Sequence, residues 1–129
     1  AHASSIALQV DADLPAVHLD RTRLRLLLRN LLDNALRHGG DQLPVELHIH
    51  LANQQLLIEV RDHGSGVAET QLEKMAQPFF RPDADRGRNS GGVGLGLYLC
   101  RLVAEAHAGS FSLSNARPGL QVKVTLPVA

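Results

Sequence analysis

Two asparagines and an arginine in the first third of the chain have spacing that suits a polar binding site. Asn30, Asn34 and Arg37 lie three or four positions apart, so on an α-helix they share one strip of the surface. The strip flanks an apolar stripe of helical period, which consists of Leu24, Leu27, Leu28, Leu31 and Ala35. Amides at the edge of a core are costly unless they have partners. The spacing therefore predicts a half-buried site for a ligand or a hydrated metal ion.

Two glycine-containing segments add further chemistry. Asp62-His63-Gly64-Ser65-Gly66 follows an apolar segment, where the carboxylate can accept a hydrogen bond from an exocyclic amine and the glycines let backbone approach a flat ligand. Gly91-Gly92-Val93-Gly94-Leu95-Gly96-Leu97 opens a helical segment, and N–H groups at a helix start attract phosphate. The Gly-x-Gly-x-Gly spacing and the lack of Gly-Lys-Ser/Thr support neither a dinucleotide fingerprint nor a P-loop.

Hydrophobic periodicity predicts the elements that position these segments. One long helix is expected from an N-cap at Asp20 to the Gly39-Gly40 pair, and a second from residue 93 or 95 to His107. A short helix is expected over residues 69–76, and strands over 6–10, 16–19, 45–51, 56–60, 110–114 and 120–126. Residues 77–94 have no period, and a loop of that length usually acts as a lid or lacks order. The pattern predicts a mixed sheet covered by helices on one face.

Composition excludes several classes of protein. The 129 residues carry 13 Lys and Arg against 13 Asp and Glu, so no overall field attracts nucleic acid or an anionic membrane. The single cysteine, Cys100, excludes an internal disulfide and falls in an apolar helical run, so we expect a buried structural thiol. No apolar run reaches the roughly 18 residues of a membrane span, and the first residues do not show the pattern of a signal peptide. The expected location is the cytoplasm.

The histidines have mostly unremarkable surroundings. His48 and His50 alternate with Leu47 and Ile49 on a predicted strand, so we expect them on its solvent face, with a two-histidine metal site as the alternative. His18 is expected to be similar. His107 suits the negative end of the second long helix.

Four segments, taken in order, resemble the sequence boxes of sensor histidine kinases. Residues 30–38 look like the N box, 62–66 the G1 box, Pro78-Phe79-Phe80-Arg81 the F box and 92–97 the G2 box. The resemblance covers about residues 5–127 and implies the Bergerat ATP-binding fold of the gyrase, Hsp90, histidine kinase and MutL group. That fold is an α/β (α+β) two-layer sandwich. Its mixed, mostly antiparallel five-stranded sheet has about three helices on one face, and the whole forms a single domain over 1–129 with an ATP lid at about 77–94.

The resemblance also implies ATP and Mg²⁺ as ligands and gives each box a role. Asn34 would ligate Mg²⁺ through its amide oxygen, with Asn30 beside the phosphate or a metal-bound water and Arg37 as a cation for the phosphates. His38 would pack near the sugar or phosphate, and Asp62 would accept the adenine amino group. Together with Arg81, the three residues of the polar strip form the implied catalytic set. The implied nucleotide-binding set is completed by Gly64, Gly66, Val67, Phe80, Arg86, Gly92, Val93, Gly94, Leu95, Gly96 and Leu97.

By this resemblance the chain is an ATP-binding catalytic domain that donates the γ-phosphate to a histidine on a separate dimerisation domain. A response regulator is expected as an indirect partner, and nucleic acid is not expected as a partner. None of the seven histidines is followed by Glu or Asp, as the family's phosphoacceptor is, so we expect the acceptor to lie outside this chain. The parent is expected to be a membrane-anchored homodimer of the inner membrane, with this domain cytoplasmic and monomeric when isolated.

Other classes compete with this interpretation. Gyrase- or MutL-type ATPases need a catalytic Glu on the first long helix, where residues 23–38 offer only Asp33. Anti-sigma-factor-type serine kinases generally lack the F box. A third alternative is a non-catalytic nucleotide-binding module that docks a partner through the lid.

Overall fold

The computed structural model describes residues 6–10, 20–38, 43–78 and 96–128. The helices are α1 (Arg21–His38), a 3-10 helix (Glu69–Ala76) and α2 (Gly96–Ala106). The strands are β1 (Ile6–Val10), β2 (Val45–Ala52), β3 (Gln55–Arg61), β4 (Ser110–Asn115) and β5 (Leu120–Pro127). These elements confirm the sequence prediction within a few residues. The expected strand at 16–19 and most of the expected lid lie outside the described residues.

The five strands form one sheet in the order β1-β2-β3-β5-β4. β1 pairs with β2 in parallel, and the other three pairs are antiparallel. The predicted mixed, mostly antiparallel five-stranded sheet is therefore confirmed. β3 is the central strand, so the residues that follow it are held from two sides.

Local sequence explains how the long helices and the hairpin form. The side chain of Asp20 accepts a hydrogen bond from the Arg23 N–H at 3.0 Å, which confirms the predicted N-cap. Asn53 and Gln54 both have positive φ, at 54° and 61°, as a type I′ turn between β2 and β3 requires. At the end of α2 the Val103 carbonyl oxygen accepts from the His107 backbone N–H at 3.2 Å, and the ring Nδ1 of His107 lies 2.9 Å from the same oxygen.

The core lies between one face of the sheet and the two α-helices. Leu27, Leu31 and Ala35 of α1 are buried, which confirms the predicted apolar stripe, and Leu24 and Leu28 pack against them half-buried. Every second residue of the central strands is buried beneath the helices, as the period of two predicts. These residues include Leu56, Ile58, Val60, Leu120, Val122, Val124 and Leu126.

Cys100 joins the two helices from within this core. Its side chain is fully buried, and Sγ donates a weak hydrogen bond to the Leu27 carbonyl oxygen at 3.6 Å. Burial raises the pKa of the thiol to about 12, although the backbone hydrogen bond acts in the opposite direction. The prediction of a buried structural thiol is confirmed.

The opposite face of the sheet carries polar side chains. His48 and His50 lie on this face, as predicted, but they are half-buried rather than fully exposed, because neighbouring strands place side chains beside them. None of the helices in the described segments is long and apolar enough to span a membrane.

Candidate functional site

Asp62 lies immediately after the central strand β3. It is 2% exposed and is the only buried charged side chain among the described residues. Its Oδ1 accepts backbone hydrogen bonds from Gly64 at 3.0 Å and from Leu120 at 3.1 Å. These charge-assisted bonds offset the cost of removing a carboxylate from water. No described residue donates to Oδ2, so one oxygen is fixed and the other can serve a ligand.

Leu120, the first residue of β5, helps to position this carboxylate. The Asp62 N–H donates to the Leu120 carbonyl oxygen at 3.0 Å, which continues the β3–β5 pairing beyond the strand. Gly119 has a φ of +95°, and a Cβ there would lie 1.9 Å from the Asp62 carbonyl oxygen. Only glycine fits both demands. Gly119 lies between the predicted strands 110–114 and 120–126, where a turn is expected, and nothing local indicates its contact with a residue 57 positions earlier.

A second clamp holds the loop after Asp62. The Asn115 side chain accepts from the Val67 N–H at 3.1 Å and donates to the Val67 carbonyl at 2.7 Å. Gly66 has a φ of +73°, and a Cβ there would lie 2.6 Å from Oδ1 of Asn115. Asn115 therefore positions the predicted site residues Gly66 and Val67. Sequence reasoning missed this role, and the only signal was an Asn directly after the predicted strand 110–114.

The asparagine strip of α1 faces the start of α2. Nδ2 of Asn30 donates to the Leu26 carbonyl at 2.9 Å, which fixes the amide and leaves its oxygen to point away from the helix backbone. A Cβ at Gly96 would lie 3.5 Å from that oxygen. The structure thus brings together Asn30 and Gly96, which are 66 residues apart and were predicted for one site.

The remaining residues of the predicted strip differ in burial. Asn34 is half-buried, and its side chain makes no hydrogen bond to another described residue. Arg37 is exposed. Leu97 is 4% exposed within the core, so its side chain serves packing, and a nucleotide can reach only its backbone.

Several predicted site residues lie outside the described part of the chain. The side chain of His38 lies outside the described part of the chain. So do seven residues predicted from the lid and the glycine-rich segment, namely Phe80, Arg81, Arg86, Gly92, Val93, Gly94 and Leu95.

Comparison with known proteins identifies the family. Residues 19–129 match the family described as histidine kinase-, DNA gyrase B- and HSP90-like ATPase. The chain belongs to this family. The family's relatives include the alginate biosynthesis sensor protein KinB of Pseudomonas aeruginosa, which is 34% identical over 125 residues, 96% of this chain and 20% of KinB. Sensor histidine kinase YkoH of Bacillus subtilis is 33% identical over 121 residues, 94% of this chain and 26% of YkoH.

Solved structures of this family share the fold. The nucleotide-free catalytic domain of histidine kinase ThkA superposes with a TM-score of 0.82 at 25% identity, covering 96% of this chain and 78% of that one. Full-length ShkA in complex with AMPPNP gives a TM-score of 0.82 at 25% identity, covering 97% of this chain and 26% of that one. The chain spans only about a fifth to a quarter of the length of the two sensor proteins named above. It corresponds to the catalytic, ATP-binding part of a histidine kinase, as its sequence boxes predicted.

Proposed function

We propose that this chain binds Mg-ATP and donates its γ-phosphate to a histidine on the dimerisation domain of its parent kinase. The observation that supports this most directly is the arrangement around Asp62. A buried carboxylate whose Oδ1 is fixed by two backbone N–H groups presents Oδ2 as a hydrogen-bond acceptor. The adenine amino group is a donor of matching polarity.

The loop that follows Asp62 would lie against the base. Gly64 and Gly66 remove side chains from this segment, so backbone can approach the flat purine closely. Asn115 fixes the same loop from the far side through Val67. A base contact made from a fixed loop loses little conformational entropy on binding.

The phosphates would lie near the junction of α1 and the start of α2. Amide oxygens of Asn34 and Asn30 are hard, neutral ligands of the kind that suit Mg²⁺ or its bound waters. When bound there, Mg²⁺ would neutralise charge on the phosphate oxygens. Arg37 would add a cation at the exposed end of the strip, and the start of α2 at Gly96 would offer N–H groups to phosphate.

The lid would complete the site. Within the predicted lid and glycine-rich segment, the glycines at 92 and 94 would allow close approach to the triphosphate, with Val93 and Leu95 between them. Phe80 would contact the nucleotide. Arg81 and Arg86 would contact the γ-phosphate or dock the domain that carries the acceptor. Because phosphoryl transfer depends mostly on positioning and charge neutralisation, these contacts are sufficient for a domain that holds and aims ATP.

The same proposal implies what kind of parent protein contains this domain. We infer a homodimeric sensor kinase anchored in the inner membrane, with this domain in the cytoplasm where ATP is supplied, and a response regulator that receives the phosphoryl group. The isolated domain would be a monomer. The names of the matched relatives, a sensor protein and a sensor histidine kinase, support the sensor-kinase part of this inference.

Phosphotransfer in trans tests the proposal. The chain is incubated with γ-labelled ATP and Mg²⁺, alone and with the separately expressed dimerisation domain of its parent. We expect label on the dimerisation domain only, as acid-labile and base-stable phosphohistidine. Stable phosphohistidine on the chain alone would overturn the division of labour, and acid-stable phosphoserine on an added protein would favour the anti-sigma-type alternative.

Asn34→Ala tests the metal side separately. We expect it to weaken Mg-ATP binding by about tenfold or more, because a metal ligand is lost, while adenosine affinity changes little. Isothermal titration with both ligands measures the difference, and Asn53→Ala in the β2–β3 turn serves as a control for loss of an amide. Equal losses for Mg-ATP and adenosine would mean that Asn34 has a structural role.

A further inference from the structure

Three side chains with metal-binding groups meet on the sheet face that lies away from the helices. They are His48 and His50 of β2 and Glu59 of β3, here called the His-His-Glu cluster. Each can offer one ligand atom so that all three atoms lie within 4.8 Å of one another. None of these residues belongs to the nucleotide site described above.

The backbone of the β2–β3 hairpin dictates this arrangement. Residues two apart on a strand point to the same face, which places both histidines together, and the antiparallel register sets Glu59 directly opposite His48. Nδ1 of His48 lies 3.6 Å from Oε1 of Glu59. Two ligands on a tetrahedral zinc ion, with bonds of about 2.0–2.1 Å, lie roughly 3.3 Å apart. The pair therefore already has nearly the spacing that one ion requires.

The surroundings of the second histidine, His50, independently favour a metal ion. Its ring lies 4.3 Å from the His48 ring, centroid to centroid. Nδ1 of His50 is buried and has no hydrogen-bond partner among the described residues. A buried ring nitrogen without a partner is costly, and a metal ion is a partner that this nitrogen can use in its neutral form.

A groove beside the cluster leaves room for a further ligand. Its cavity of about 630 Å³ is lined by Glu46, His48, Glu59, Arg61, His63 and Gln121, among others. His63 has its own carboxylate partner, since its Nε2 lies 2.9 Å from Oε2 of Glu46. Because the groove borders His48 and Glu59, water from it can occupy a fourth coordination position on the ion. The three cluster residues then remain the only protein ligands.

We propose that the His-His-Glu cluster binds a first-row transition-metal ion, with Zn²⁺ as the reference ion, through two neutral imidazoles and one carboxylate. This ligand set suits Zn²⁺, Co²⁺ or Ni²⁺ and does not suit Mg²⁺, which prefers oxygen ligands throughout. The site is separate from the Mg²⁺ position of the proposed function and does not depend on that function. Bound metal would cross-link β2 and β3.

Titration of the untagged, chelator-treated chain with ZnCl₂ tests the site. We expect one Zn²⁺ per chain and, with Co²⁺, the visible absorption of a four-coordinate centre. His50→Gln and Glu59→Gln should each weaken Zn²⁺ binding at least tenfold. His63→Gln is the matched control, because it removes a groove histidine that also pairs with a carboxylate, and its Zn²⁺ affinity should equal that of the wild type.

The outcomes separate cleanly. Circular dichroism and a urea unfolding transition like that of the wild type show that each variant is folded, and if His50→Gln does not fold, Glu59→Gln decides. No Zn²⁺ binding by the wild-type chain would overturn the proposal. So would unchanged binding in a folded Glu59→Gln variant, or a loss in His63→Gln that equals the loss in the cluster variants.

Discussion

Replacing Asp62 by Asn changes a single group of the side chain, and we expect it to separate nucleotide binding from folding. Oδ1 accepts hydrogen bonds from the N–H groups of Gly64 and Leu120, and an amide oxygen in the same place can keep both. These two donors select the amide orientation, so the NH₂ group replaces Oδ2. A donor then faces the adenine amino group, which is also a donor.

The size of the effect follows from these contacts. A hydrogen bond to a charged group contributes about 1.5–3 kcal/mol, so loss of the adenine contact should lower ATP affinity by roughly 10- to 150-fold. The two retained backbone bonds become neutral and lose about half their strength. The fold should therefore lose only about 1–2 kcal/mol, which lowers Tm by several degrees.

A nucleotide pair isolates the contact. Wild-type chain and Asp62→Asn are titrated with ATP and with purine riboside triphosphate, which lacks the 6-amino group. The wild type should prefer ATP, and the variant should lose that preference, while Asp20→Asn at the α1 N-cap should keep it. An equal loss of affinity for both nucleotides in a folded variant would refute the base-contact reasoning, and so would unchanged ATP affinity.

Three further changes probe the supports of the site. Gly119→Ala should lower the free energy of unfolding in urea by more than about 3 kcal/mol. The reason is the left-handed φ of Gly119 and the 1.9 Å that would separate an added Cβ from the Asp62 carbonyl oxygen. A loss below about 1 kcal/mol would contradict this. Asn115→Ala should lower the free energy of unfolding by about 1–3 kcal/mol and weaken ATP binding, since both Val67 backbone groups lose their partner. Unchanged ATP affinity by calorimetry would contradict this. Cys100→Ala tests a pH dependence: the thiol pKa is raised from 9.0 to about 12 on folding, so its contribution to stability is complete below pH 9.0 and declines toward pH 12. The wild-type advantage over Cys100→Ala should shrink by about 2 kcal/mol between about pH 8 and 10.5 in denaturant melts, and a constant gap would refute it.

Features that depend on neighbouring residues were predictable from sequence. The cap at Asp20, the turn at Asn53 and Gln54, and the buried stripe of α1 each follow from periods or preferences within a few residues. The four sequence boxes, taken in order, also predicted which segments form one nucleotide site. Within the described residues, Asp62, Gly66 and Asn30 lie in settings that suit their predicted roles.

Features that depend on pairing between distant segments were not predictable. Asn115 binds Val67 across 48 residues, and Gly119 meets Asp62 only because β5 pairs with β3. An Asn before a turn and a Gly within it are ordinary turn residues, so their second role is invisible without the strand register. For His48 and His50, the period of two predicts which face of the sheet they lie on. Their half-burial depends on side chains of the opposing strand and was not predictable.

The position of Asp62 at the end of the central strand has a consequence for how nucleotides are told apart. In the proposed function the base acceptor is Asp62, which belongs to the sheet layer and is held by β5, whereas Asn30 and Gly96 belong to the helical layer. A hydrogen bond from the base to Asp62 would select only for a 6-aminopurine. It would not depend on the number of phosphates. The distinction of ATP from its product ADP would then depend on residues of the helical layer.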